Sequence, residues 1–234
     1  NELMGYVFAI SGITKKCIVL DLDNTLWGGI IGEEGFDNIK LGDNPVGRSF
    51  VEFQKRLLAL NKRGIILAIN SKNNFDDAIE VIQKHPNMIL KEENFACVKI
   101  NWDDKVVNLQ KIAEELNIGL DSMVFFDDDP INQEYVRESL PGVLVIDLTK
   151  DSSQYPQIIT EMKEFDVLEI TEEDTKRSDM YLGQKKRKEL ENKVSDFNEF
   201  LKQMNIEVSV QKANSFSIPR ISQLILKTNQ FNLT

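Results

Sequence analysis

Cys17-Ile18-Val19-Leu20-Asp21-Leu22-Asp23-Asn24-Thr25 carries more information than any other stretch of this chain. Its first four residues form an apolar, β-branched run that reads as a buried strand. Asp21 and Asp23 then stand at the carboxyl end of that strand, the edge where open α/β sheets bind ligands. Within a strand the two side chains would point to opposite faces. Just past its end the backbone can turn and bring both into one crevice. Two anions in a crevice invite a hard divalent cation, most often Mg2+. One Asp can then serve as nucleophile and the other as acid/base. The same residues also suit a plain strand end entering a solvated loop, because Asp and Asn are turn formers.

Working outward, strands and helices alternate to about residue 148. Phe50, Phe53, Leu57 and Leu60 share one stripe, which predicts a helix over 49–62, ended by Gly64. The all-apolar run 65–69 reads as a central parallel strand. Helices follow over 75–84, 104–116 and 130–139, and strands over 95–100, 123–126 and 143–146. This rhythm predicts a doubly wound, mostly parallel α/β sheet with right-handed crossovers. The segment between Leu26 and Asn44 is punctuated by glycines and too long for an ordinary loop. A flap or small hairpin over the crevice fits it.

The character changes after Asp147. Residues 151–175 are polar and acidic and read as connector, and 178–204 as a long helix carrying the basic run Lys185-Lys186-Arg187-Lys188. That run reads as a solvated helix face, with phosphate binding as the alternative. A strand over 206–210 and a helix over 218–227 look like the start of a second, incomplete domain. The expected division is therefore 1–150, 151–204 and 205–234, and the absence of an initiator Met at Asn1 suggests a piece of a longer protein.

Composition limits the function. The chain has 234 residues, 41% of them apolar, and a net charge of −10. The acidic balance argues against non-specific nucleic-acid or membrane binding. Cys17 and Cys97, both in strand-like contexts, read as reduced core residues of a cytoplasmic protein. No apolar run is long enough to span a bilayer.

Three later strand ends repeat the chemistry of the first. Asn70, Ser71, Lys72, Asn73 and Asn74 follow the second strand, as hydroxyl, amide and cation groups suited to phosphate oxygens. Lys105 opens the helix after the third strand, where it can neutralise a carboxylate and a transferring phosphoryl group together. Asp127, Asp128 and Asp129 follow the fourth strand and can supply a further metal carboxylate. Alone, Ser71 reads as a loop residue, Lys105 as a surface lysine and the Asp triplet as a helix cap. All four in this order are hard to obtain by accident. His85, the only histidine, reads as a group near a helix C-terminus. Trp27 suits packing under the flap or ligand contact equally, and Trp102 suits core or rim.

The ordered set resembles the four motifs of the haloacid dehalogenase (HAD) superfamily of aspartyl phosphotransferases, over roughly residues 12–148. More narrowly, Asp21-Leu-Asp-Asn-Thr-Leu-Trp-Gly-Gly29, Ser71-Lys72-Asn73, Trp102-Asp-Asp-Lys105 and Lys227-Thr-Asn-Gln-Phe-Asn-Leu-Thr234 resemble the FkbH-like branch (subfamily IIIC). The resemblance implies a HAD-like Rossmannoid sheet without a large cap domain, followed by a domain similar to GNAT acyltransferases that begins near residue 205. It implies Mg2+ as cofactor, a phosphorylated small molecule as substrate and an acyl carrier protein as a possible partner. Members of the branch are similar to enzymes that take a glyceryl group from 1,3-bisphosphoglycerate, dephosphorylate it and load it onto the carrier thiol. A plain small-molecule phosphatase and a non-catalytic interaction module remain the alternatives.

By the same resemblance, Asp21 attacks phosphorus, while Asp23 protonates the leaving oxygen and lends its backbone carbonyl to the metal. Thr25 fixes the loop, Ser71 binds a phosphoryl oxygen alongside Lys72 and Asn73, and Lys105 neutralises charge. Asp128 is the remaining metal carboxylate, Asp127 supports it, and Asn132 holds a metal-bound water. Many members of the branch carry Cys just before Ser-Lys-Asn, where this chain has Asn70.

Overall fold

The computed structural model describes residues 14–148, 150–166, 180–183, 187, 209–215, 217–219 and 221–222. The elements, in chain order, are β1 (Cys17–Leu20), a single helical turn α1 (Ile31–Glu34), α2 (Pro45–Lys62), β2 (Ile66–Ser71), α3 (Phe75–Lys84) and β3 (Phe95–Ile100). They continue through α4 (Lys105–Leu116), β4 (Met123–Asp127), α5 (Pro130–Ser139), β5 (Leu144–Asp147) and α6 (Tyr155–Glu161). The five strands form one sheet in the order β3-β2-β1-β4-β5, and every pairing is parallel. The chain runs outward from β1 through β2 to β3, then returns to β4 on the other side. The switch point therefore lies between β1 and β4, at the carboxyl edge, where such sheets open a ligand crevice.

The sheet is buried on both faces because its strands alternate side chains between two apolar cores. Ile18, Leu20, Leu67, Ile69, Val124 and Phe126 join the core under α2, α3 and α6. Cys17, Val19, Ile66, Ala68, Met123 and Phe125 join the core under α4 and α5. Both cysteines are buried, as their strand contexts led us to expect.

Several boundaries differ from the sequence reading, each for a physical reason. α2 starts at Pro45 rather than Ser49, because proline fits the first helical position and the Asn44 side chain caps it by accepting from the Gly47 amide at 2.6 Å. β2 runs on through Asn70 and Ser71, which pair with Lys99 and Ile100 of β3. The stretch read as connector contains α6, whose Tyr155 and Ile159 are buried in the core. The glycine-punctuated segment is closed by a single two-residue bridge between Gly28 and Lys40. Its Leu26, Trp27, Ile31, Ile39 and Leu41 are buried in the core, so it is a packed wall rather than a loose flap. Trp102 is 75% exposed, which excludes the core for it.

The chain divides into two compact units, Asn1–Lys188 and Glu189–Thr234. In the second, residues 209–215 are exposed and without regular structure, and helical residues follow at 218–219 and 221–222. Ser209 and Val210 therefore do not extend as the expected strand, and the rest of that strand lies outside the described residues. So do most of the expected helices over 178–204 and 218–227, and three of the four residues in the basic run. No helix among the described residues is long and apolar enough to cross a membrane.

Candidate active site

Lys105 organises the carboxyl edge. It is the first residue of α4, capped by Asp104, whose side chain accepts from the Val106 amide at 2.7 Å. A cation at a helix N-terminus opposes the helix dipole. The side chain is nevertheless buried, with its ammonium 2.7 Å from Asp127 Oδ2 and 2.9 Å from Asp21 Oδ1. It also donates to the Asn70 carbonyl at 3.1 Å and lies 5.8 Å from the Phe125 ring centroid. Burial pulls the Lys105 pKa down, but Asp21 and Asp127 outweigh it and raise it, so the ammonium stays charged.

Asp21 follows β1 directly, and its amide donates to Phe126 of the neighbouring β4 at 2.9 Å. Its Oδ1 is buried against the Lys105 ammonium, with which it forms an ion pair at 2.9 Å. Carboxylate oxygens of Asp21, Asp127 and Asp128 lie within 4.8 Å of one another. Three carboxylates converging there form an all-oxygen, anionic donor set that suits a hard divalent cation. Asp127 is already engaged through both oxygens. Oδ2 meets Lys105, while Oδ1 accepts from the Asp129 amide at 2.9 Å and from Asn132 Nδ2 at 3.4 Å. Asp128 is partly exposed, and its pKa is raised to about 6, first by burial and then by the charges of Asp21 and Asp127.

Asp23 occupies a different setting. Its Oδ1 accepts from Trp27 Nε1 at 2.9 Å and from the Ile31 amide at 3.1 Å. Its Oδ2 accepts from Asn73 Nδ2 at 2.9 Å. Burial raises its pKa in spite of these donors. The loop between the two carboxylates is held by its neighbours. Asn24 adopts a left-handed φ of 53°, which Asn tolerates better than most residues. Its side chain accepts from the Gly29 amide at 2.8 Å, where φ is 96°, a conformation that favours glycine. Its carbonyl accepts from the buried Tyr155 hydroxyl at 3.2 Å.

The remaining sequence-derived candidates divide. Ser71 is buried at the end of β2, and Asn73 turns its amide onto Asp23. Lys72 is exposed and forms no ion pair with the described residues. Thr25 is fully buried, and its hydroxyl has no hydrogen-bond partner among the described residues. His85 caps α3 through its backbone amide, which donates to Val81, while its ring accepts from the Asn87 amide at 3.3 Å. Sequence reasoning missed three supports. They are Trp27 on Asp23, Tyr155 under Asn24, and Gln133, whose amide donates to the Asp127 carbonyl at 2.6 Å. Only Tyr155 left a signal, as the start of an apolar stripe with Ile158 and Ile159 next to Pro156.

This Rossmann-like α/β sheet, with its acidic cluster at the switch point, is the fold expected from the resemblance to haloacid dehalogenase phosphatases. It is also the fold of the N-terminal part of protein BF1531 from Bacteroides fragilis, which contains a phosphatase domain and was solved in complex with Mg. The two chains are 42% identical with a TM-score of 0.65, over 68% of this chain and 43% of that one. This chain therefore spans less than half the length of that relative. An uncharacterized protein from Corynebacterium glutamicum is 14% identical with a TM-score of 0.43, over 66% of this chain and 97% of that one. The 3-deoxy-D-manno-octulosonate 8-phosphate phosphatase from Moraxella catarrhalis, solved with magnesium, phosphate and KDO, is 23% identical with a TM-score of 0.36. That match covers 64% of this chain and 77% of that one. Likeness at those two scores bears no weight. No protein-family model and no curated protein matches the chain.

Proposed function

We propose that this chain is a Mg2+-dependent phosphatase of the haloacid dehalogenase type, working through an aspartyl-phosphate on Asp21. The observation that carries the reading is the buried Lys105 ammonium bridging Asp21 and Asp127 beside Asp128. Asp21, Asp128 and the Asp23 carbonyl would hold Mg2+, which supplies charge neutralisation for the phosphoryl oxygens. Asp127, with both oxygens engaged by protein groups, supports that set rather than completing it. Asp21 attacks phosphorus, and Asp23 gives its proton to the leaving oxygen. Asp23 then takes a proton from the water that releases phosphate. Lys105 balances the charge that moves onto the phosphoryl oxygens and Asp21, and Ser71 holds one of those oxygens. Phosphoryl transfer needs mainly such positioning and electrostatic support.

The finer reading is FkbH-like. The site removes phosphate from an acyl donor such as 1,3-bisphosphoglycerate, and the glyceryl group passes to an acyl carrier protein thiol. Two features bear on how that happens. The first is that the chain has two cysteines, both buried away from the carboxylates, and burial pushes the Cys17 thiol up. The second is Asn70, which stands where many members of the branch have Cys. The carrier thiol therefore attacks the acyl carbon directly, loses its proton and expels the acyl phosphate as inorganic phosphate, without an acyl group stored on this chain. Asp21 takes the remaining phosphate ester. An open crevice, with no cap among the described residues, suits a tethered arm.

The test is hydrolysis of a generic aryl phosphate. Activity is expected with Mg2+, lost on chelation and abolished by Asp21→Asn. Activity that survives this substitution would sink the aspartyl mechanism. Incubation of the full-length enzyme with 1,3-bisphosphoglycerate and a carrier protein, read by mass spectrometry, addresses the transfer step. An unchanged carrier mass returns the reading to a plain phosphatase.

A further inference from the structure

Asn70 is fully buried and touches both ends of Lys105. Its backbone carbonyl accepts from the Lys105 ammonium at 3.1 Å, and its side-chain amide donates to the Lys105 backbone carbonyl at 2.9 Å. The ammonium has three hydrogens. Two make aligned bonds, to Asn70 and Asp127, and together these fix the direction of the head group. What remains is the ion pair with Asp21 Oδ1 at 2.9 Å. Lysine has a flexible four-carbon stem, so its aim depends on how its two ends are held. Strand β2 holds both through one residue. Asn70 can do this because β2 extends past the apolar run, which sets residue 70 inside the ladder opposite Lys99.

We infer that Asn70 is a positioning residue that aims the Lys105 ammonium at Asp21 during phosphoryl transfer, an inference that rests on the proposed phosphatase reading. Its amide is engaged with the first residue of α4, so its effect on the reaction passes through Lys105 and not through contact with substrate.

A double-mutant cycle separates this role from general support of the fold. Asn70→Ala is expected to lower kcat on an aryl phosphate about tenfold with KM within about twofold. In a Lys105→Ala background the same change is expected to alter kcat by less than about twofold, because the two residues act as a unit. Equal losses in both backgrounds, or a kcat for Asn70→Ala within about twofold of the unsubstituted chain, would overturn the inference. A crystal structure of Asn70→Ala gives a readout independent of activity. The residue-70 carbonyl and Asp127 still hold the Lys105 ammonium in that variant. The ammonium is expected to shift measurably away from Asp21 as the Lys105 backbone loses its tether, and an unmoved ammonium would overturn the inference equally. An inactive unsubstituted chain would instead count against the phosphatase reading, with the crystal structure still deciding the positioning role. If Asn70→Ala does not fold, Asn70→Ser, whose shorter side chain cannot reach the Lys105 carbonyl, replaces it in both measurements.

Discussion

The two walls of the crevice are built from different materials. The Asp21 wall is made of strand ends and one helix start, and it is ionic: Lys105 stands between Asp21 and Asp127, with Asp128 beside them. The Asp23 wall is made of the packed glycine-punctuated segment and the loop after β2. It is neutral, with an indole, a backbone amide and a side-chain amide around one carboxylate. Residues two apart in sequence thus meet different electrostatics. A cation lies against Asp21, while half-buried Asp23 sits among neutral donors with its pKa raised, first by burial, which on the proposed reading suits it to carry a proton. On the proposed reading, division of labour between two chemically identical side chains comes from their surroundings.

Removing the ionic wall's cation is expected to have the largest effect. Lys105→Met leaves Asp21 and Asp127 buried side by side without a counter-charge. It should lower kcat by about 10²–10³-fold and, without Mg2+, destabilise the fold by about 3–5 kcal/mol in a denaturant titration. A small effect on both would mean that the two walls do not differ as described. On the neutral wall, Asn73→Ala and Trp27→Phe each remove one donor to Asp23. Each is expected to lower kcat by about tenfold, the scale of one hydrogen bond to a charged group, with little change in thermal stability for Asn73→Ala.

The smallest effect concerns pH. The Asp128 carboxyl is raised from the ordinary carboxylate range to about 6 in the folded chain. Its folded-state pKa lies above its unfolded one, so without metal the ionised form costs stability that grows as pH rises from about 4 towards 6. Mg2+ binds the ionised form and offsets that cost. The Mg2+-induced rise in Tm should therefore be larger at pH 7.5 than at pH 5. An equal rise at both would remove Asp128 from the metal's surroundings.

Much of this arrangement is legible in the chain before any coordinates. The apolar runs at 17–20, 65–69 and 123–126 and the polar residues after them mark the carboxyl edge, because buried parallel strands are mostly apolar and polarity resumes near their ends. The neutral wall is far less legible. Nothing in the spacing of Trp27, Ile31 and Asn73 says that all three meet Asp23, because the contact is made by packing the Leu26–Leu41 wall into the core. The clamp by Asn70 is hidden for a related reason. The polar identity of Asn70 and Ser71 marks a loop, whereas pairing with β3 keeps both inside the sheet. Tyr155 lies 131 residues from Asn24, a separation that no local pattern spans.

The central claim is that Asp21 carries the phosphoryl group. The direct measurement is to quench the reaction of the Mg2+-loaded protein with a phosphate donor in acid, reduce any acyl phosphate with borohydride, and sequence the peptides by mass spectrometry. The account predicts conversion of Asp21, and of no other carboxylate, to homoserine. Hydrolysis that proceeds with Asp21 unmodified, or with the label on another residue, would contradict it.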